Sequence, residues 1–179
     1  TGVLSHGLRE IVTAAEAIAR RSPAVLHLEG VNGRSVLETL RWYLDTSSDR
    51  DVNGDGLWET SNLWEGAWDN KIAPMFRDTP IDMWVAALRS SDPAEIARFT
   101  DAHRRPATTM VEQAAYARAM CAMGRLAASA GDLATAAWAD RQATHAITVV
   151  RARQWNASTG TYRDWDTTSE ALNDADCLD

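Results

Sequence analysis

The chain has 179 residues, enough for one domain with a real core, and its 45% hydrophobic and 24% charged residues are ordinary for a globular protein. A formal net charge of -7 argues against nucleic acid as a partner, because neutralising phosphates needs a basic face. No apolar run is long enough to span a bilayer, which excludes a membrane-spanning helix. The start, TGVLSHGLRE, lacks the charged and apolar regions of a signal peptide and so favours a cytoplasmic chain. Cys121 and Cys177 show no metal spacing and no disulfide framework; Cys121, inside a helix pattern, reads as a buried free thiol.

Taken in order, Ser5 to Arg21 reads as a helix, with Leu8, Ile11, Val12, Ala15, Ile18 and Ala19 at helical spacing. Ser22-Pro23 ends it, since the residue before a proline is pushed out of the helical region. The stretch 24–33 reads either as a short strand or as a buried turn. Ser35 and Glu38 form a capping box, each side chain meeting an orphan backbone amide. The helix they open carries Val36, Leu37, Leu40, Tyr43 and Leu44 on one side and stops near Asp45.

After a long connection, residues 82–90 predict a short helix. Asp92-Pro93 with Glu95 starts another: an N-cap, a proline whose missing amide costs nothing, and a reciprocal carboxylate. Arg104-Arg105-Pro106 breaks it. Thr109 and Glu112 make a further capping box for a helix running to about Ala130, and Gly131 can end that helix in a left-handed conformation. Asp132 caps the next helix, Leu133 to about Trp155, with Ala136, Ala137, Ala143, Ile147 and Val150 facing inward. Two long helices joined by so short a turn must run antiparallel. Asn156 to Gly160 is a turn, residues 162–166 form an aromatic and acidic patch, and the tail reads as the start of one more helix. The expected fold class is all-α, a single helical segment over 1–179 built of helical hairpins.

The connection from Asp49 to Pro80 carries too much chemistry for a linker. It has three tryptophans (Trp58, Trp64, Trp68), carboxylates at Glu59, Glu65 and Asp69, and an alternating oxygen series at Asp49, Asp51, Asn53 and Asp55. A long loop inside a compact domain is usually functional or disordered, and disordered segments are poor in aromatics. Counted as an EF-hand, the series fails at the twelfth position, which is Thr60, with Glu59 one place short. Two readings stay open: a tight turn in which Asp and Asn bond their own backbone and Gly takes positive φ, and a calcium site of another kind using Asp51, Asn53 and Asp55. In Glu65-Gly66-Ala67-Trp68-Asp69-Asn70, the Trp offers a flat apolar face for a sugar and the polar groups offer hydrogen bonds. Cleaving a glycosidic bond also needs an acid to protonate the leaving oxygen. The alternative is a buried Trp beside a capping Asp and Asn.

These segments resemble a known family. Asp49-Arg50-Asp51-Val52-Asn53-Gly54-Asp55-Gly56-Leu57 is similar to its "RDxxGDGL" motif. Trp64-Glu65-Gly66-Ala67-Trp68-Asp69-Asn70 is similar to "ESGWDN", and Gln154 to Asp164 is similar to "LW(D/N)xxTGxYxD". The family comprises glycoside hydrolases of the trehalase and processing α-glucosidase type, with relatives acting on mannosylglycerate and glucosylglycerate. The resemblance spans roughly residues 35–166. It implies part of an (α/α)6 toroid, the six-hairpin glycosidase architecture, and an inverting α-glycosidase with Asp69 as general acid. Trp64, Glu65, Trp68 and Asn70 would line the sugar subsite. No cofactor is required, although some relatives bind Ca2+ through the loop matching Asp51, Asn53 and Asp55.

Lys71-Ile72-Ala73-Pro74 departs from the family's Ser-Pro-Arg. The family's catalytic base lies far downstream, and no residue here is nominated for it. Five or six helices, where a closed ring needs twelve, make the chain read as the N-terminal half of a toroid. Its expected partners are a carbohydrate and either the remainder of the toroid or a second copy. The alternatives are a non-catalytic carbohydrate-binding or scaffolding helical module and, more remotely, a calcium-controlled interaction domain.

Overall fold

The computed structural model describes residues 5–30, 33–46, 51, 54–57, 81–103, 107–108, 110–166 and 169–172. Six α-helices lie among them: α1 (Ser5–Ala19), α2 (Val36–Thr46), α3 (Ile81–Leu88), α4 (Pro93–His103), α5 (Met110–Ser129) and α6 (Leu133–Arg153). The mainly helical class expected from periodicity holds. No helix among the described residues is long and apolar enough to cross a membrane.

Helix α5 is the axis of the core. Its buried Tyr116, Ala119, Met120, Met123 and Leu126 meet Val12 and Ala19 of α1, Leu37, Leu40 and Leu44 of α2, and the alanines of α6. The turn between α5 and α6 is a Schellman motif. Gly131 takes φ +80°, its N–H donates to Ala128 O (3.1 Å), and the Asp132 N–H donates to Ala127 O (2.9 Å). Asp132 then caps α6, its Oδ1 accepting from the Thr135 N–H at 2.9 Å. One glycine and one aspartate thus close the last carbonyls of α5 and the first amides of α6, folding the pair back antiparallel.

The predicted inward face of α6 is corrected. Ala139, Ala143 and Ala146 are buried beside Thr135 and Ala136, whereas Ala137 and Ile147 are exposed. Alanine occurs all round this helix, so apolarity alone does not mark a side. The contact selects the positions whose small side chains let the two axes approach. Gly124 of α5 is part of the same seam, because a Cβ there would lie 2.6 Å from Asp140 Oδ1 of α6.

Helix α1 also departs from its predicted face. Val12 and Ala19 are buried, but Ile11 and Ile18 are 52% and 55% exposed. Glu16 occupies the inward position instead, at 8% exposed. A near-buried carboxylate needs compensating charge. Arg125 of α5 supplies it through Nε to Glu16 Oε1 (2.6 Å) and Nη2 to Oε2 (2.8 Å), and Arg20 Nη2 adds a bond to Oε1 (2.8 Å). The Arg125 hydrogen bonds above all hold the Glu16 pKa down to about 2, against the opposing effect of burial.

The capping box at the start of α2 is present. The Ser35 N–H donates to Glu38 Oε2 (2.7 Å) and the Glu38 N–H donates to Ser35 Oγ (3.2 Å). Ser35→Ala is expected to cost about 1 kcal/mol, read as a melting temperature about 2–4 °C lower. At α4, Asp92 Oδ1 accepts from the Ala94 N–H (2.9 Å), as an N-cap should. Glu95 does not reach back to Asp92, however. It accepts from Ser90 Oγ (2.6 Å), and that hydroxyl accepts from the Asp92 N–H (3.2 Å). The serine relays the cap because it sits just ahead of the turn. The expected box at Thr109 and Glu112 lies outside the described residues and side chains.

Three further expectations change. Residues 24–33, read as strand or turn, begin with a 3-10 helix over Pro23–His27. Proline at its first position gives up an amide that would have no partner there. The tail does not start a helix at 169–172: Ala171–Leu172 is a strand, β5. It pairs antiparallel with β4 (Trp165–Asp166), which pairs in turn with β1 (Ala107–Thr108). This sheet ties the lead into α5 to the exit from α6. Cys121 is a free thiol, but it is only partly buried.

Candidate functional site

At the C-terminal end of α6 the chain makes a hairpin from β2 (Trp155–Asn156) and β3 (Thr161–Tyr162), with Trp155 opposite Tyr162. Asn156 builds the turn. Its Oδ1 accepts from the Ser158 N–H (2.9 Å), its carbonyl accepts from the Gly160 N–H (2.9 Å), and Gly160 takes φ +68°. The Arg163 N–H then donates to Gln154 O (2.8 Å), which leads the chain into β4.

The described part of the acidic loop packs against this end of α6. Within it, the Gly56 N–H donates to Asp51 Oδ2 (2.8 Å) and the Leu57 N–H donates to Asp55 Oδ1 (2.8 Å). Gly54 and Gly56 take φ +75° and +83°, so the self-bonded turn with left-handed glycines is what forms here. Leu57 is fully buried and anchors the segment. Gly56 sits so close to α6 that an added Cβ would lie 2.8 Å from His145 Nε2 and 2.9 Å from Val149 Cγ2. The side chain of Asp55, 9% exposed, faces Arg153, with Oδ2 3.8 Å from Nη1. Arg153 in turn lies over the indole of Trp165, its Cζ 5.4 Å from the ring centre.

His145, Val149 and Arg153 stand at i, i+4 and i+8, one stripe along α6. None of them was singled out from sequence, although the four-residue spacing beside the buried alanines was there to be read. Of the expected site residues, Asp51 and Asp55 come together in this turn. Asn53, Trp64, Glu65, Trp68, Asp69 and Asn70 lie outside the described residues.

Of the three expected calcium ligands, Asp51 and Asp55 are described and Asn53 is not. Asp51 Oδ2 and Asp55 Oδ1 are engaged by backbone amides, and a guanidinium opposes Asp55 Oδ2. Asp51 Oδ1 is buried without a hydrogen-bond partner; calcium takes about six to eight oxygens, so a site here would need more than the described groups supply. No group of three or more His, Cys, Asp or Glu that could hold a metal exists among the described residues. Calcium held by Asp51, Asn53 and Asp55 would give a higher melting temperature in millimolar calcium than in chelator, since a ligand binding only the folded state raises it, and equal values would remove the calcium reading.

No protein-family model, no curated protein and no solved structure matches the chain.

Proposed function

We propose that this chain is part of an inverting α-glycosidase of the (α/α)6-toroid type, with Asp69 as the proton donor and Trp64, Glu65, Trp68 and Asn70 around the sugar. The observation that carries the reading is the seating of one motif-bearing loop on the helix end that leads directly into the other motif-bearing segment. The loop containing Asp55 and Gly56 seats on the same end of α6 from which the Gln154–Asp164 hairpin leaves, through the Asp55–Arg153 pair and the Gly56 contact with His145 and Val149. In a hairpin array, connections gathered at one end are where a cleft is built.

Inverting hydrolysis needs a second carboxylate, about 6.5–9.5 Å from the first with a water between them. In this reading the base comes from a part of the toroid beyond these residues. The test is to express the natural full-length reading frame and assay release of glucose or mannose from α-linked disaccharides and glycerate glycosides. Turnover abolished by Asp69→Asn is the expected result, and full turnover in that variant counts against the proposal.

A non-catalytic carbohydrate-binding module is the second reading. It is favoured by the exposed cross-strand pair Trp155 and Tyr162, whose rings lie 5.0 Å apart edge to face. Oligosaccharide binding without turnover, in a chain whose natural length is this one, would select it.

A further inference from the structure

The C-terminal ends of α1 and α5 enclose an open hollow of about 340 Å³. It lies at the other end of the α5–α6 hairpin from the acidic loop and takes no part in the site described above. Its apolar lining comes from Ala19, Pro23 and Leu126, and its charged lining from Glu16, Arg20 and Arg125. The volume is at the lower end of the range for small-molecule sites.

The chemistry of the hollow follows from how the charges are used. Arg125 gives Glu16 only its Nε and Nη2, and Arg20 gives only its Nη2. A guanidinium carries five N–H donors, so both arginines keep donors that Glu16 does not take. Two guanidinium groups around one carboxylate sum to a formal charge of +1, which offsets the negative C-terminal ends of α1 and α5 beside them, in a chain whose total formal charge is -7. The planar fork of an arginine matches a second carboxylate as well as it matches the first. The apolar wall beside it suits hydrocarbon.

We propose that this hollow binds a small carboxylate with an apolar body, its oxygens on the unused edges of Arg125 and Arg20 and its hydrocarbon against Ala19, Pro23 and Leu126. The Glu16 pair serves as the base of the site: it fixes Arg125 in place while leaving an outer edge for the ligand.

The test is a titration of the chain, labelled with nitrogen-15, using three probes: sodium benzoate, the neutral benzamide of the same shape, and inorganic phosphate. Benzoate should give saturable shifts at the amides of residues 16–22 and 125–129 and at the arginine Nε–H signals. Benzamide and phosphate should each bind at least about tenfold more weakly, lacking either the charge or the body. Arg20→Gln changes a side chain that is 73% exposed and leaves the bidentate Arg125 contact intact, so the fold should survive it. It should weaken benzoate about fivefold or more. No saturable shift with benzoate, equal binding of benzamide, phosphate as tight as benzoate, or an Arg20→Gln variant that binds like the parent would each overturn the assignment.

Discussion

Gly56→Ala is expected to destabilise the protein by about 2–4 kcal/mol, far more than the same change two residues earlier. Two costs add at position 56. The left-handed backbone at φ +83° charges an alanine about 1 kcal/mol or somewhat more. The new methyl would also stand 2.8 Å from His145 Nε2 and 2.9 Å from Val149 Cγ2. The imidazole can turn away, but Val149 is half-buried and, being β-branched on a helix, strongly prefers one χ1 rotamer. Overpacking of this kind costs about 1–3 kcal/mol. Gly54 is the internal control, with φ +75° and nothing within 4 Å of the added carbon, so Gly54→Ala carries the backbone cost alone.

The measurement is urea unfolding of both variants beside hydrogen exchange of the loop amides. If Gly56→Ala releases the loop without unfolding the bundle, the loss appears as faster exchange at Gly56 and Leu57, whose amides Asp51 and Asp55 hold. Equal effects at positions 54 and 56 would mean that the loop does not rest on α6. The proposed gathering of the two motif segments would then lose its support.

Cutting the link between α1 and α5 is the second large effect. Arg125→Met is expected to cost about 2–3 kcal/mol at neutral pH, because it leaves the largely buried Glu16 with Arg20 alone. Arg125 is itself 55% exposed at its side chain, so solvent screening keeps the cost below that of a fully buried pair. Arg20→Met, at a 73% exposed side chain, should cost less than about 1 kcal/mol.

The pH dependence has a definite sign. Glu16 has its pKa lowered from 4.5 to about 2, chiefly by the Arg125 hydrogen bonds. The contribution of the pair is therefore complete above the unfolded value near 4.5 and is lost as pH falls through about 2. Glu16→Gln should flatten the stability profile across that window and lower the plateau above it. A profile between pH 2 and 4.5 unchanged by Glu16→Gln would show that other carboxylates govern acid unfolding.

Local chemistry was legible from the residues alone. The capping box of Ser35 and Glu38, the Gly131 and Asp132 junction, and the aspartate–glycine turn each depend on side chains bonding to backbone a few positions away. Such bonds need only residues close in sequence, and where the local reading failed, at Glu95, a neighbour two residues before the cap, Ser90, took the bond. The mainly helical class was legible for a related reason, since apolar spacing at three and four residues is a property of one segment by itself. What remained out of reach involved distance along the chain. No local pattern says that Glu16 should turn inward while Ile11 and Ile18 face water; that depends on Arg125, supplied by another helix. The β1–β4–β5 sheet joins the segment before α5 to the segments after α6, far apart in sequence, in strands too short to show a period of two. Alanine surrounds α6, so only the close approach of α5 decided which alanines are buried. The candidate site divides in the same way. The acidic turn was readable, but its seat on His145, Val149 and Arg153 exists only because folding brings residue 56 to the side of residue 149, where the absence of a side chain on glycine makes room for the contact.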